Sequence, residues 1–155
     1  MRVGIGYDVH PLVAGRALVL GGVRVEHPVG LDGYSDADVL THAVIDAVLG
    51  AAGLGDIGTL FPAGDPKYRG AASLEMLAVA VKAVREAGYR VANVDCTVIA
   101  QEPSLQPYIQ RMRSNLAEQL ETESVNVKGK SPEGLGALGA KAGIAAQAVA
   151  TIEQA

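Results

Sequence analysis

The run SDADVLTHAVIDAVLGAAG, residues 35–53, constrains the fold more than any other stretch of the chain. Val39, Leu40, Ala43, Val44, Ala47 and Val48 recur at three- and four-residue spacing, which lines one face of a helix. Ser35, followed three residues on by Asp38, predicts a capping box at the start, and Gly53 is placed to close the helix. The chain is 49% hydrophobic yet has one Phe and no Trp, so its core has to be packed from Ala, Val, Leu and Ile. Its nineteen glycines imply several tight turns, or places where the backbone approaches a ligand.

Around that helix, two segments predict β-structure: RVGIGYDV, residues 2–9, and ALVLGGVRVEH, residues 17–27, with Gly21-Gly22 as a turn or bulge. Residues 54–70 form a loop dense in Gly, Pro and Asp, long enough that a functional role is expected of it. A second helix is predicted over 72–88, a strand over 89–101, a third helix over 104–120 and another strand over 124–130. Residues 131–143 read as a Gly-rich loop or short helix. Residues 144–154 read as a strand, although their alanines suit a helix as well. The order predicts an α+β fold, a sheet with helices on one face, in a single domain spanning residues 1–155.

The formal net charge of −4, with no stripe of Lys and Arg, argues against a nucleic-acid surface. Cys96 is the only cysteine, which fits a reducing compartment. No secretory leader pattern and no uncharged apolar run of about 18 residues are present, so a cytoplasmic protein without a membrane partner is expected.

Three constellations could carry chemistry. In GIGYDVHP, residues 4–11, Asp8 and His10 sit two apart and share one face of a strand. They suit a metal, an acid–base pair or a polar strand end. On the first helix His42 lies one turn from both Asp38 and Asp46. The stripe is either a solvated flank with ordinary pairing, or His42 joins Asp8 and His10 as a two-imidazole, one-carboxylate zinc shell with an open fourth position. Asp38 or Asp46 would then orient an imidazole. In VKGKSPEG, residues 127–134, the lysines and backbone N–H groups could hold phosphate and Glu133 a hard cation. The same residues also suit a solvated turn, and Walker-type spacing is absent.

Taken together, RVGIGYDVHP, SDADVLTHAVIDAVLGAAGLGDIGTLFP, DPKYRG, NVDCTVIAQEPSLQPYI and VNVKGKSPEGLG resemble the 2-C-methyl-D-erythritol 2,4-cyclodiphosphate synthases of non-mevalonate isoprenoid biosynthesis. The segments follow the family's order over nearly the whole chain. The resemblance implies a homotrimer of α+β subunits around a central β-prism, with active sites between neighbours. It implies a CDP-linked substrate, 4-diphosphocytidyl-2-C-methyl-D-erythritol 2-phosphate, whose 2-phosphate attacks the β-phosphorus to release CMP. Asp8, His10 and His42 match the zinc ligands, for zinc or another divalent transition metal. Glu133 matches the ligand of a magnesium or manganese ion on the diphosphate. Ser131 stands where threonine is common and is implied to donate to the diphosphate, with Lys130 adding charge. Ser35 matches a substrate contact, while Asp56 and Gly58 match the loop that meets the ribose and substrate backbone. Phe61, Pro62 and Asp65 match the loop lining the methylerythritol, and Ala100, Pro103 and Leu105 the cytosine pocket.

Some positions depart from the family pattern. Tyr34 occupies the place of a histidine assigned to stabilising the reacting phosphates; it can donate one hydrogen bond but brings no imidazolium charge. Ala63 replaces a common aspartate, Ser104 a lysine beside the cytosine pocket, and Ala140 an arginine, with Lys141 next to it. Two other functions fit part of the pattern: a metal-dependent phosphohydrolase with Asp46 as base, and a catalytically impaired relative that keeps nucleotide and metal.

Overall fold

The structure, a computed structural model, describes residues 1–155. β1 (Arg2–Ala14) leads into a small hairpin of β2 (Leu18–Leu20) and β3 (Val23–Val25), turned by Gly21 and Gly22 at positive φ of 58° and 69°. β4 (Val29–Leu31) then pairs antiparallel with β1; its three residues are too few to show alternation, so no strand was expected there. The helix α1 (Val39–Ala52) follows. The expected loop of residues 54–70 holds a short helix α2 (Ile57–Leu60) and a 3-10 turn at Pro66–Tyr68. After it come α3 (Ser73–Glu86), β5 (Tyr89–Ile99), a 3-10 turn and α4 (Ile109–Leu120), β6 (Val125–Lys130), a short α5 (Gly136–Gly139) and β7 (Gly143–Gln154).

The main sheet has the order β4-β1-β7-β5-β6, antiparallel except for the parallel pair β5/β6. The alanine-rich C-terminal segment is therefore a strand, and a central one, paired with β1 on one side and β5 on the other. From Ala146 on, its buried residues Ala146, Ala148, Ala150 and Ile152 alternate with more exposed ones, the period of two that a strand imposes, while Gly143, Ile144 and Ala145 are all buried. The helices pack on one face. The other face leaves Val3, Ile5, Tyr7, Val9 and Val149 exposed.

α1 starts at Val39 rather than at Ser35. Asp38 is its cap and accepts the Thr41 N–H at 3.0 Å, so the capping box predicted from Ser35 does not form. The Asp38 carboxylate also accepts from the N–H groups of Gly21 and Gly22, the Thr41 hydroxyl and the Ser73 hydroxyl, at 2.7 to 2.9 Å. One fully buried side chain thus ties the hairpin, α1 and α3 together. Gly53 ends the helix in the left-handed conformation at φ 74°, as its position predicted. Twelve α1 residues are buried, because α3 and the hairpin cover the side that faces away from the sheet.

α1 lies directly on β1. A Cβ at Gly6 would collide with the Ala43 carbonyl, and one at Gly4 with the Ala47 carbonyl. These glycines are the close approach of backbone to backbone that glycine inside a strand marks.

Candidate functional site

Gly4, Gly6, Asp8 and His10 point to the same side of β1, so the face that meets α1 also carries the carboxylate and imidazole. His42 precedes Ala43, the residue that rests on Gly6, and the close contact brings its ring to Asp8. Asp8 Oδ2 lies 3.0 Å from His42 Nδ1 and 3.1 Å from His10 Nε2. The two imidazoles meet edge to face, centroids 6.0 Å apart. His42 is only 6% exposed, so it belongs to no solvated flank. One ligand atom from each of the three residues lies within 4.8 Å of the others, close to the span of one ion bound at about 2 Å. Two imidazoles and one carboxylate fit a divalent transition metal with a position left open.

Burial raises the Asp8 pKa, but the hydrogen bonds from His10 and His42 outweigh it and hold the carboxyl down at about 2. Burial lowers the His42 pKa, but the Asp8 hydrogen bond and the carboxylates of Asp38 and Asp36 raise it above the usual 6.5. In the metal-free chain, the Asp8 contribution to stability is present above pH 3.8 and fades as pH falls toward 2. The His42 contribution is full below pH 6.5 and fades as pH rises through its raised folded value. Asp8 and His42 therefore stabilise the metal-free chain most between pH 3.8 and 6.5. Thermal melts across pH should show that excess in chelator-treated protein and not in Asp8→Asn. Zinc binding should tighten as pH rises, since the metal needs the neutral imidazole.

The trio opens into a cavity of about 260 Å³. Tyr34, Ser35, Gly58, Phe61 and Pro62 line it, five of the residues expected in a substrate site. Ser35 Oγ sits 3.2 Å from His42 Nε2. The Tyr34 hydroxyl donates to the Asp65 carbonyl at 2.9 Å, so its single proton is taken within the protein. Asp65 meets the site through that carbonyl, while its carboxylate caps the 3-10 turn by accepting the Lys67 N–H. Asp56 caps α2, accepting from the Thr59 N–H and hydroxyl, and these bonds hold its carboxyl below the usual range.

Neither Asp38 nor Asp46 takes the imidazole-orienting place expected of it. Asp38 is the buried hub already described. Asp46 accepts the Ile57 N–H at 2.8 Å and so fixes α2, which carries Gly58. Burial, and after it the charges of Asp56 and Asp8, raise the Asp46 pKa against that hydrogen bond.

A second hollow, of about 220 Å³, is lined by Ala100, Pro103, Leu105, Lys130 and Ser131. The Glu133 N–H donates to Ser131 Oγ at 3.0 Å, leaving the Ser131 hydroxyl proton free. Glu133 is exposed, with φ 56°. The Gln101 side chain accepts the Gly134 N–H at 2.8 Å and so holds this turn against the strand end, a role that a lone Gln in the sequence does not announce. The two hollows share no lining residue. Yet His10, Ile144, Ala145, Ile99 and Lys130 follow one another across the strands through their pairings. His10 and Lys130 therefore sit at one end of the sheet, on strands three spacings or about 14 Å apart.

The model of the YgbB family matches residues 1–153. A 2-C-methyl-D-erythritol 2,4-cyclodiphosphate synthase of Syntrophomonas wolfei is 56% identical over 157 aligned positions, covering 100% of both chains. Among solved structures, the bifunctional IspDF of Campylobacter jejuni superposes with a TM-score of 0.95 at 42% identity, this chain spanning 42% of that protein. A 2C-methyl-D-erythritol-2,4-cyclodiphosphate synthase in its CDP-bound form gives a TM-score of 0.89 at 34% identity, over 98% of this chain and 100% of that one. With a family model matched over nearly every residue and a relative alike from end to end, the chain belongs to the YgbB family.

Proposed function

We infer that the chain converts 4-diphosphocytidyl-2-C-methyl-D-erythritol 2-phosphate to 2-C-methyl-D-erythritol 2,4-cyclodiphosphate and CMP. An oxygen of the 2-phosphate bonds to the β-phosphorus. The bond from that phosphorus to the oxygen bridging the α-phosphorus breaks, and CMP leaves with the electron pair, which makes the enzyme a phosphorus–oxygen lyase. No water is consumed, so the protein's work is alignment and neutralisation of charge. The observation that carries this reading is the Asp8–His10–His42 trio at the head of a cavity, on the same sheet end as a second, separate hollow.

Asp8, His10 and His42 would hold zinc or another divalent transition metal, and Glu133 a magnesium or manganese ion. When bound, such ions supply Lewis-acid polarisation of phosphate oxygens. Ser131 directs its free proton at the diphosphate, and Lys130 adds positive charge beside it. Ser35 and Gly58 meet the substrate next to the trio, with Asp56 toward the ribose. Phe61, Pro62 and the Asp65 segment enclose the methylerythritol, while Ala100, Pro103 and Leu105 receive the cytosine. Tyr34, whose hydroxyl donates to the Asp65 backbone carbonyl, shapes the wall rather than serving as a donor to phosphate.

The exposed apolar side chains Val3, Ile5, Tyr7, Val9 and Val149 support a homotrimer in which three such sheet faces meet as a prism. The two separate hollows support active sites shared by neighbouring subunits. No helix is long and apolar enough to cross a membrane, and a nucleotide-linked substrate accords with a cytoplasmic site of action. A phosphohydrolase would need a base lining the cavity beside the trio, and Asp46 is not among the cavity's lining residues.

Phosphorus NMR of the protein with substrate, zinc and magnesium tests the reading. CMP and the cyclic diphosphate are expected in equal amounts. CMP with a linear product would instead identify a hydrolase. Absence of turnover, with CMP and zinc bound, would identify an impaired relative.

A further inference from the structure

We propose that Arg16 is a positioning residue for the metal and phosphate site, acting through residues 31–35 without itself entering the cavity. Its guanidinium donates three hydrogen bonds to alternate carbonyls of one segment: Nε to Leu31 at 3.1 Å, Nη1 to Gly33 at 3.1 Å and Nη2 to Ser35 at 3.0 Å. The Asp32 carboxylate adds a longer contact at 3.8 Å. β4 ends at Leu31; beyond it the Asp32 N–H still donates to the Pro11 carbonyl at 2.9 Å and the Tyr34 carbonyl accepts from the Gly70 N–H at 3.0 Å, which leaves the Gly33 and Ser35 carbonyls to be held in another way. Arg16 supplies the donors for those two carbonyls and for that of Leu31.

What the segment carries gives the grip its meaning. Gly33 packs against the His10 ring: a Cβ there would lie 3.0 Å from Cε1 and 3.1 Å from Nδ1. Ser35 places its hydroxyl 3.2 Å from His42 Nε2. Tyr34, between them, lines the cavity and ties the segment to Asp65. One side chain outside the cavity thus sets the backbone that flanks two of the three metal ligands. The planar fork is what allows three carbonyls in a row to be held at once; an ammonium is a point charge with no such geometry.

The proposal rests on the metal and substrate reading above, and its test separates the two. Zinc affinity of wild type, Arg16→Ala and Arg16→Lys is measured by competition with a chromophoric chelator, alongside metal-free melting temperatures and, with substrate, KM and kcat. Groups that orient metal ligands are typically worth 10–100-fold, so Arg16→Ala is expected to weaken zinc about tenfold and to raise KM more than it lowers kcat. Arg16→Lys should fold as wild type yet recover less than half of either loss. Wild-type zinc affinity and KM in Arg16→Ala would overturn the proposal. So would full recovery in Arg16→Lys, which would show that charge alone matters, or zinc losses no larger than the fall in metal-free stability explains. If the wild type itself turns over no substrate, the synthase reading fails, and zinc affinity alone still decides the role of Arg16.

Discussion

Asp8→Asn is expected to lower turnover by about a thousandfold, roughly 4 kcal/mol of transition-state stabilisation, while leaving the fold intact. The substitution changes no volume. It removes the charge on which His10 and His42 converge, at 3.1 and 3.0 Å, and with it the only anionic ligand of the trio. Purified Asp8→Asn should contain little zinc, and added zinc should restore activity only at far higher concentration. Its far-ultraviolet circular dichroism should match wild type. A variant that kept full turnover would remove the trio from the mechanism and leave the second hollow to account for the chemistry.

The largest loss of stability is expected from a residue that touches no substrate. Asp38→Ala should cost about 3–5 kcal/mol in chemical denaturation, because five donors lose their acceptor inside the protein. Asp38→Asn keeps one oxygen but turns an amide N–H toward some of those donors, and about 2–4 kcal/mol is expected. Because the hub joins the β2–β3 hairpin to α1 and α3, the loss should appear as a lower midpoint with an unchanged denaturant slope. A change below about 1 kcal/mol would mean that the hairpin and α3 are held by packing alone.

Much of this was legible in the sequence. The apolar stripe of α1, the Gly21-Gly22 turn and the closing Gly53 each rest on local chemistry that a short window displays. The strand at residues 144–154 was ambiguous, because alanine has a weak strand preference and its pairing partners lie far away in sequence. The start of α1 was misplaced for a similar reason: Ser35 and Asp38 both suit a cap, and only the packing of the hairpin and α3 on Asp38 decides between them. Asp8, His10 and His42 were recognisable as ligand types, but their convergence depends on Gly4 and Gly6, whose lack of side chains carries no signal of what lies opposite. Arg16 and Gln101 were invisible, since each acts on backbone carbonyl or N–H groups that any sequence would offer.

The bare contact between β1 and α1 would bear on which ion the trio accepts. Backbone rests on backbone at Gly4 and Gly6, so no side chain is available there to rotate or compress. Spacing between the strand ligands and the helix ligand is set by van der Waals radii when the chain folds. With a metal bound, such a frame would favour ions whose size and coordination geometry match it, where a flexible loop would close around whatever cation is abundant. The two glycines, chemically the most inert residues of the segment, would thereby act as the gauge against which a candidate metal is measured.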